Sequence, residues 1–303
     1  MNMQSNAVPE TRVDSPALAP ATTSATRPFY WSVRRELWEY RSIYIAPLAV
    51  AALVVFGFLI ATIGRAMATR DAAQKAAVLS EQSGFAAGVI MATAFIVGIF
   101  YSLDALHSER RDRSILFWKS LPVSDLTTVL SKASIPLVVL PLFTFAVVVV
   151  TQVIMGVLST LALWASGLAV GTLWTHWFQT SLMLLYHLVT VHVLWHAPIY
   201  AWLLLVSGWA RRLTFLWAVL PPVAIGVLEK IAFGTTHFAA FMGYRMRGPE
   251  EFDLGARGHA AMHSLMSMDL GKFLSTPGLW IGLVVAAAFL AAAARLRRYR
   301  GPI

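Results

Sequence analysis

Six long, predominantly apolar stretches leave this chain few ways to fold. They cover residues 43–63, 84–103, 135–158, 180–206, 213–233 and 273–294. A helix needs about 20 consecutive apolar residues to cross the hydrocarbon core of a membrane. The bilayer core has no water to hydrogen-bond backbone N–H and C=O groups. Each stretch is therefore predicted to be a helix, which pairs these groups within itself, rather than a strand or loop. We therefore expect an all-α membrane protein with six transmembrane helices.

The composition excludes a soluble domain. Hydrophobic residues make up 58% of the chain and charged residues only 13%, whereas soluble domains average about 25% charged residues. Eleven Trp residues fit the aromatic belts found at membrane surfaces. Cysteine is absent, which rules out disulfides, zinc thiolates and cysteine nucleophiles in this sequence.

The basic residues predict how the helices cross the membrane. Sixteen of the 24 Lys and Arg residues fall in the two terminal segments and in the loops at 104–134 and 207–212, which share one side of a six-helix topology. Lys and Arg are enriched on the cytoplasmic side of bilayers. We therefore expect a multi-pass protein of the inner (plasma) membrane with both termini in the cytoplasm. The net charge of +9 is explained by this topology and predicts no nucleic-acid partner.

The chain is predicted to have three parts. Residues 1–28 are rich in Ala, Pro, Ser and Thr, so we expect a disordered N-terminal tail. Residues 29–42 alternate aromatic and charged side chains at helical spacing, which is typical of an amphipathic helix lying in the cytoplasmic interface. Its candidate interfacial residues are Trp31, Arg34, Arg35 and Trp38. Residues 43–303 are predicted to form the six-helix transmembrane domain.

Residues 107–134 form the most densely charged segment of the chain. Charged residues come first, then the aromatic pair Phe117 and Trp118, then a break at Pro122. Ser124 or Asp125 is placed to cap a following short helix, since either side chain can accept a hydrogen bond from free backbone N–H groups. A tight connection would not need Phe117 and Trp118, so we interpret the segment as a cytoplasmic docking element.

The same segment resembles the cytoplasmic loop of ABC-2 type permeases, the membrane subunits of ATP-binding-cassette transporters. The corresponding residues are Glu109-Arg110, Ile115-Leu116, Leu121-Pro122-Val123-Ser124 and Lys132. The sequence departs from the family pattern at Arg113-Ser114, where the family has Gly-Thr. The resemblance implies a coupling loop that contacts an ATPase, with candidate residues Glu109, Arg110, Arg113, Phe117, Trp118, Lys119, Pro122 and Lys132.

The resemblance further implies a division of labour between subunits. This chain contains no G-x-x-x-x-G-K-[ST] phosphate loop, so a separate ABC ATPase subunit would bind ATP and Mg and the permease itself would be no enzyme and need no cofactor. Six spans form half of such a transporter, so a second permease copy or a paralogue is expected beside it in the lipid bilayer. Export is the expected direction of transport.

Two other functional classes remain open from the sequence. One is a membrane-embedded, metal-dependent enzyme with His187, His192 and His196 as ligands, of which His192 and His196 share a helix face. No Glu follows His192 as it does in His-Glu-x-x-His zinc sites, so the pattern predicts no metal. The other class is a membrane sensor or assembly factor that docks a partner through residues 107–134 without transporting anything.

Overall fold

The computed structural model describes residues 26–66, 72–164, 171–248 and 270–303, and this part of the chain contains helices and no strands. The helices are α1 (Thr26–Glu39), α2 (Ser42–Ala66), α3 (Ala72–Asp104), α4 (His107–Arg111), α5 (Ser114–Ser120), α6 (Asp125–Ser134), α7 (Leu140–Trp164), α8 (Gly171–His187), α9 (Ala197–Trp209), α10 (Thr214–Phe233), α11 (His237–Arg247), α12 (Leu270–Leu274) and α13 (Pro277–Tyr299). Two π-helical segments, Ile135–Val139 and Leu188–Trp195, join α6 to α7 and α8 to α9.

Five helical segments in the described part of the chain are long and apolar enough to cross a membrane, and a bent pair brings the number to 6 if it counts as one span. The five are Ser42–Ala61, Gly84–Arg111, Asp125–Leu161, Thr214–Phe233 and Pro277–Tyr299, and the bent pair is Ser181–Trp195 with Ala197–Trp209. The all-α class and five to six candidate spans are therefore confirmed. The orientation in the membrane stays a prediction.

Helix boundaries differ from the sequence prediction at the N-terminal side. Helix α1 begins at Thr26, inside the stretch predicted as tail, because Pro28 is tolerated in a first helical turn whose N–H groups need no partner. It ends at Glu39, three residues earlier than predicted, and α2 begins at Ser42 after a one-turn break. The rest of the predicted tail, residues 1–25, lies outside the described residues.

The fourth predicted span is broken near its middle. The π-helical turns of Leu188–Trp195 end at His196, and α9 leaves at an angle of 44° with Pro198 in its first turn. A proline removes a backbone donor and clashes with the preceding turn, so it commonly marks such a kink. The break leaves two consecutive buried aromatic rings, Trp195 and His196, pointing into the bundle rather than along one regular helix face.

Helix α3 lies at the centre of the bundle and contacts α2, α7 and α9, while α9 and α13 share the most extensive helix contact. The α3–α9 contact is close because Gly98 faces Tyr200: a Cβ atom at Gly98 would lie 3.0 Å from the Tyr200 ring. Around this contact pack Ile43, Ala94, Tyr101, Leu140 and Leu204, all almost fully buried. Residues 159–164 form the end of α7 and residues 171–179 the start of α8, while residues 165–170 lie outside the described part of the chain.

Helix α11 folds back after α10 through a left-handed turn at Gly234. The Glu229 carboxylate accepts hydrogen bonds from the Thr235 hydroxyl and from the backbone N–H groups of His237 and Phe238, at 2.7 Å each. It thereby satisfies the first N–H groups of α11, which have no partner within the helix. Glu229, an ionisable residue that the sequence placed at the end of a span, thus has a structural role in this turn.

Candidate functional site

The segment 107–134 folds as three short helices, α4 to α6, at one end of the bundle, which we call the charged end. Arg113 adopts a left-handed conformation with φ 64°, which turns the chain sharply between α4 and α5. Ser124, one of the two predicted caps, accepts a hydrogen bond from the N–H of Thr127 at 3.0 Å and begins α6. The segment is therefore an ordered element with its own helix stops and starts.

Beneath this segment two buried glutamates bind three cations. Glu36 on α1 and Glu109 on α4 each expose only 2% of their surface. The Lys132 ammonium contacts both, at 2.8 Å from Glu36 Oε1 and 3.2 Å from Glu109 Oε1. Arg35 likewise contacts both, at 2.8 and 2.7 Å. We call the set Arg35, Glu36, Glu109, Asp125, Lys132 and Arg297 the ion cluster.

Arg297, near the end of α13, closes the ion cluster on its far side. It donates to Glu109 Oε2 at 3.1 Å and to Asp125 Oδ1 at 2.5 Å, and only 5% of the residue is exposed. The cluster therefore contains three cations and three carboxylates, drawn from α1, α4, α6 and α13. Its charges balance, which is the condition under which buried ions are tolerated.

Aromatic residues complete the surroundings of the cluster. The Arg35 guanidinium lies 3.8 Å from the ring centroid of Trp118 on α5, a cation–π contact. Burial alone lowers the pKa of Arg35, but attraction from Glu36 and Glu109 outweighs it, so the pKa is raised and the charge is secured. The Tyr101 hydroxyl donates to Glu36 Oε2 at 2.9 Å. Helix α1 is thus tied to α3, α4, α5 and α6 at one point.

A second set of contacts joins α4 to the ends of α9 and α13. Arg110, 5% exposed, donates to the carbonyls of Gly208, Ala210 and Gly301. The hydroxyl of Ser207 accepts hydrogen bonds from the backbone N–H groups of Leu106 and His107. These contacts fix the position of the segment on the bundle, because each buried polar group of α4 finds a partner on another helix.

The predicted coupling residues fall into three groups in the structure, according to their exposure. Glu109, Arg110 and Lys132 are buried and hold the segment on the bundle, so they do not present their side chains to a partner. Trp118 is half-buried against Arg35. Arg113, Phe117, Lys119 and Pro122 are exposed, although Lys119 also donates to the carbonyls of Arg298 and Arg300.

The outer surface of the segment carries exposed apolar side chains. Leu116 is 59% exposed, Phe117 60% and Leu121 38%. We call these three residues the apolar patch. Large apolar side chains exposed together on a polar surface are typical of an interaction site, and the basic residues Arg113 and Lys119 flank this one.

The interfacial residues of α1 lie together on its outer face. Trp31 and Trp38 are 56% and 65% exposed, and the Arg34 guanidinium lies between them at 5.1 and 4.8 Å from the ring centroids. Arg35, one position further on, instead points inward to the ion cluster. The helix therefore has one face suited to lipid headgroups and one face that belongs to the site.

The three histidines do not assemble into a metal site. No group of three or more potential ligands comes together in the ranges that the structure describes. His192 Nε2 lies 3.2 Å from the Tyr200 hydroxyl, and His196 Nε2 lies 3.1 Å from the Met246 carbonyl oxygen. The two histidine rings therefore have different hydrogen-bond partners.

Sequence reasoning missed Glu36, Arg297 and Asp125 as members of the site. Arg297 is one of four Arg residues between 295 and 300, and nothing in the sequence separates it from the other three. Glu36 was one of two acidic residues on α1, and only helical phase separates it from the more exposed Glu39. The helical spacing of α1 could have predicted the burial of Glu36. This residue lies on the same helix face as Val33 and Leu37, which both pack on the core.

Fold and site together define a helical membrane protein with an ordered, ion-paired segment at one end of its bundle. No protein-family model matches the sequence, and neither a curated protein nor a solved structure shows significant similarity to it.

Proposed function

We propose that the chain is the permease subunit of an ABC-2 type transporter, and that α4 to α6 couple it to a separate ATPase subunit. The observation that carries the proposal is the arrangement of the segment 107–134: an apolar patch faces outward while the ion cluster anchors the same segment to α1 and α13. A segment that transmits force needs both a contact surface and a rigid attachment.

The ion cluster supplies that attachment. Breaking a buried ion pair costs about 3–5 kcal/mol, so a displacement of α4 moves the helices that share its charges rather than separating from them. Since α6 continues through the π-helical turn into α7, and α13 spans most of the bundle, movement at the charged end reaches two membrane helices directly. In the proposed mechanism, ATP-driven closure of two ATPase subunits tilts these helices and alternates access for an exported substrate.

The transporter is completed by a second permease copy or a paralogue in the bilayer of the inner (plasma) membrane, with both termini cytoplasmic. Helix α10 is the least buried of the five unbroken candidate spans in the described residues, with only 6% of its most apolar stretch buried inside the chain. Its outward-facing apolar side chains are available to lipid or to the second copy. ATP and Mg bind to the ATPase, which has the phosphate loop that this chain lacks.

The test is copurification from native membranes with a tag on the N-terminal tail. We expect an ATPase that carries a phosphate loop to copurify with the wild type, and at least tenfold less of it with the double variant Leu116→Asp and Phe117→Asp, because charges replace the centre of the contact. The control is Phe241→Asp, since Phe241 is 54% exposed but lies on α11, far from the segment. Mass spectrometry identifies and quantifies the partner.

Two results would contradict the proposal. The first is the absence of any such ATPase with wild type in a membrane extract where other transporter complexes remain intact. The second is equal recovery of the ATPase with wild type and with the apolar-patch variant. Glu109 is unsuitable for this test, because its replacement disturbs the buried cluster and would confuse loss of contact with loss of structure.

A further inference from the structure

A buried arginine without a carboxylate partner lies near the break between α8 and α9. Arg245, on α11, is 6% exposed, and none of the described Asp and Glu residues forms an ion pair with it. Its Nη1 donates to the Gly278 carbonyl at 3.1 Å, while its Nη2 has no hydrogen-bond partner among the described residues. The guanidinium also stacks on the Trp195 ring at 4.5 Å from the centroid.

Neighbouring polar atoms share this condition. Trp195 Nε1 and His196 Nδ1 are both buried and without a hydrogen-bond partner. Trp195 is fully buried and His196 is 7% exposed. Buried polar groups in folded proteins are almost always hydrogen-bonded. Other buried polar atoms in the described part of the chain also lack a partner, among them Nε of Arg35 and of Arg297, but those two arginines are paired with carboxylates whereas Arg245 is not. We call Trp195, His196 and Arg245 the arginine junction.

The backbone is shaped to admit the guanidinium. A Cβ atom at Gly282 on α13 would lie 1.4 Å from Arg245 Nη2, so no other residue fits at that position without displacing the arginine. Gly278, one turn earlier, provides the carbonyl that Nη1 contacts. The guanidinium is therefore held in one position, with the Trp195 ring on one face and the backbone of Gly282 at its tip.

The chemistry of the junction selects an anion. Arg presents a planar fork of N–H donors that matches carboxylate and phosphate oxygens, and indole N–H is a donor only. A buried cation without a counter-charge is costly, and a cation–π contact compensates only part of that cost. Helix α9 places the junction about 20 Å from the charged end, deep in the bundle and apart from the ion cluster.

We propose that the arginine junction binds an anionic oxygen group, a carboxylate or a phosphate, carried either by an amphiphile or by a small free anion. Arg245 Nη2 and Trp195 Nε1 donate to it. The site goes beyond the proposed function, since it depends on no ATPase and on no second subunit.

The test is thermal unfolding of the purified full-length protein in an uncharged detergent, followed by Trp fluorescence at constant ionic strength. The probes are inorganic phosphate, acetate, dihexanoyl phosphatidic acid and dihexanoyl phosphatidylcholine. We expect at least one anionic probe to raise the Tm of wild type by about 5 °C at a concentration of roughly 100 times its Kd. A response to phosphate or acetate identifies a free anion, and a response to phosphatidic acid alone identifies an amphiphile.

The variants assign the response to the junction. Arg245→Gln should abolish the shift, and Trp195→Phe should reduce it because it removes only the N–H donor. Arg212→Gln, at an exposed arginine of the charged end, should leave the shift unchanged. If Arg245→Gln does not fold, Gly282→Ala keeps every charge and displaces the guanidinium, so it should abolish the shift on its own.

Three results would overturn the inference. One is a Tm that no anionic probe raises more than phosphatidylcholine does. Another is a shift that persists in Arg245→Gln or Gly282→Ala. The third is a shift that appears only after Glu250, Glu251 and Asp253 are replaced by their amides. That result would mean that the chain's own carboxylates occupy the junction in the wild type. These three acids lie in sequence just after α11, outside the described residues.

Discussion

The two buried charge centres of this protein differ in one respect: whether the chain supplies both signs. In the ion cluster, three cations meet three carboxylates, and Lys132 and Glu109, each almost fully buried, find partners on other helices. At the arginine junction a guanidinium meets a tryptophan ring and a carbonyl, and no acid from the described residues. The balanced cluster compensates the cost of burying its own charges, whereas the cost at Arg245 is left to the ligand that we propose.

The variant Glu109→Gln tests this comparison first, because we expect it to cause the largest loss of stability. The variant leaves Arg35, Lys132 and Arg297 around a neutral amide, and removing one member of a buried ion network costs about 3–5 kcal/mol of stability. The measurement is the loss of Tm in detergent. Glu39→Gln is the control, since Glu39 also contacts Arg35 but its side chain is 41% exposed. Equal losses in the two variants would mean that the cluster contributes no stability.

A paired substitution sharpens the comparison further. Lys132→Met should destabilise by about 3–5 kcal/mol, since it leaves Glu36 and Glu109 short of one cation. Arg245→Met, in delipidated protein without added anions, should cost less than about 1 kcal/mol or should stabilise, because it removes a charge that has no counter-charge. Thermal unfolding of both variants in the same buffer gives the result. If Arg245→Met is as damaging as Lys132→Met, the two centres do not differ.

The contact between α1 and α5 is expected to have an intermediate effect. Trp118→Leu removes the ring on which Arg35 stacks, and a cation–π contact at a partly desolvated site is worth about 1–2 kcal/mol. Phe117→Leu is the matched control at the neighbouring exposed position and should change stability by less than about 0.5 kcal/mol. Should both substitutions lower the Tm equally, the Arg35–Trp118 contact would have no special part in fixing α5.

The smallest expected effect concerns Glu39 and pH. Burial, and then repulsion from Glu36, raise the pKa of the Glu39 carboxyl above its ordinary value. A raised pKa means that the folded protein binds this proton more tightly than the unfolded chain does, so ionised Glu39 opposes folding. Glu39→Gln should therefore be slightly stabilising at pH 7.5, by less than about 0.5 kcal/mol.

This advantage should disappear as the pH falls through the folded-state pKa of Glu39, where the wild-type carboxyl also becomes neutral. Tm values of wild type and Glu39→Gln, measured between pH 4.5 and pH 7.5, give the comparison. A variant that is less stable than wild type at pH 7.5, and increasingly so as pH rises, would show that the Arg35–Glu39 pair outweighs the repulsion from Glu36.

Much of the fold was accessible from the sequence because it depends on length and hydrophobicity. The apolar stretches predicted the candidate membrane helices, including Thr214–Phe233, through which the helix continues across Pro221 and Pro222. Ser124 as a cap was predictable from local chemistry, since a side chain that caps a helix acts within three residues. The aromatic and basic character of α1 predicted a helix with a membrane-facing side, although not its limits.

The sites depended on contacts that the sequence does not reveal. Glu109 was recognised as important, but its partners come from positions 74 and 188 residues away in the chain, Arg35 and Arg297. No sequence pattern predicted a role for Arg245. That role depends on the burial of the side chain and on the lack of a carboxylate partner among the described residues.

Hydrophobicity is a property of each segment, so the sequence by itself determined that this chain is helical and suited to a membrane. Charge pairing depends on the distance between side chains that are far apart in the sequence, and burial depends on the residues packed around a side chain. Only the tertiary structure decided which ions are paired within the described part of the chain and that Arg245 is not paired there. It did so by bringing α1, α4, α6 and α13 together at one end and α11 against Trp195 and Gly282 within the bundle.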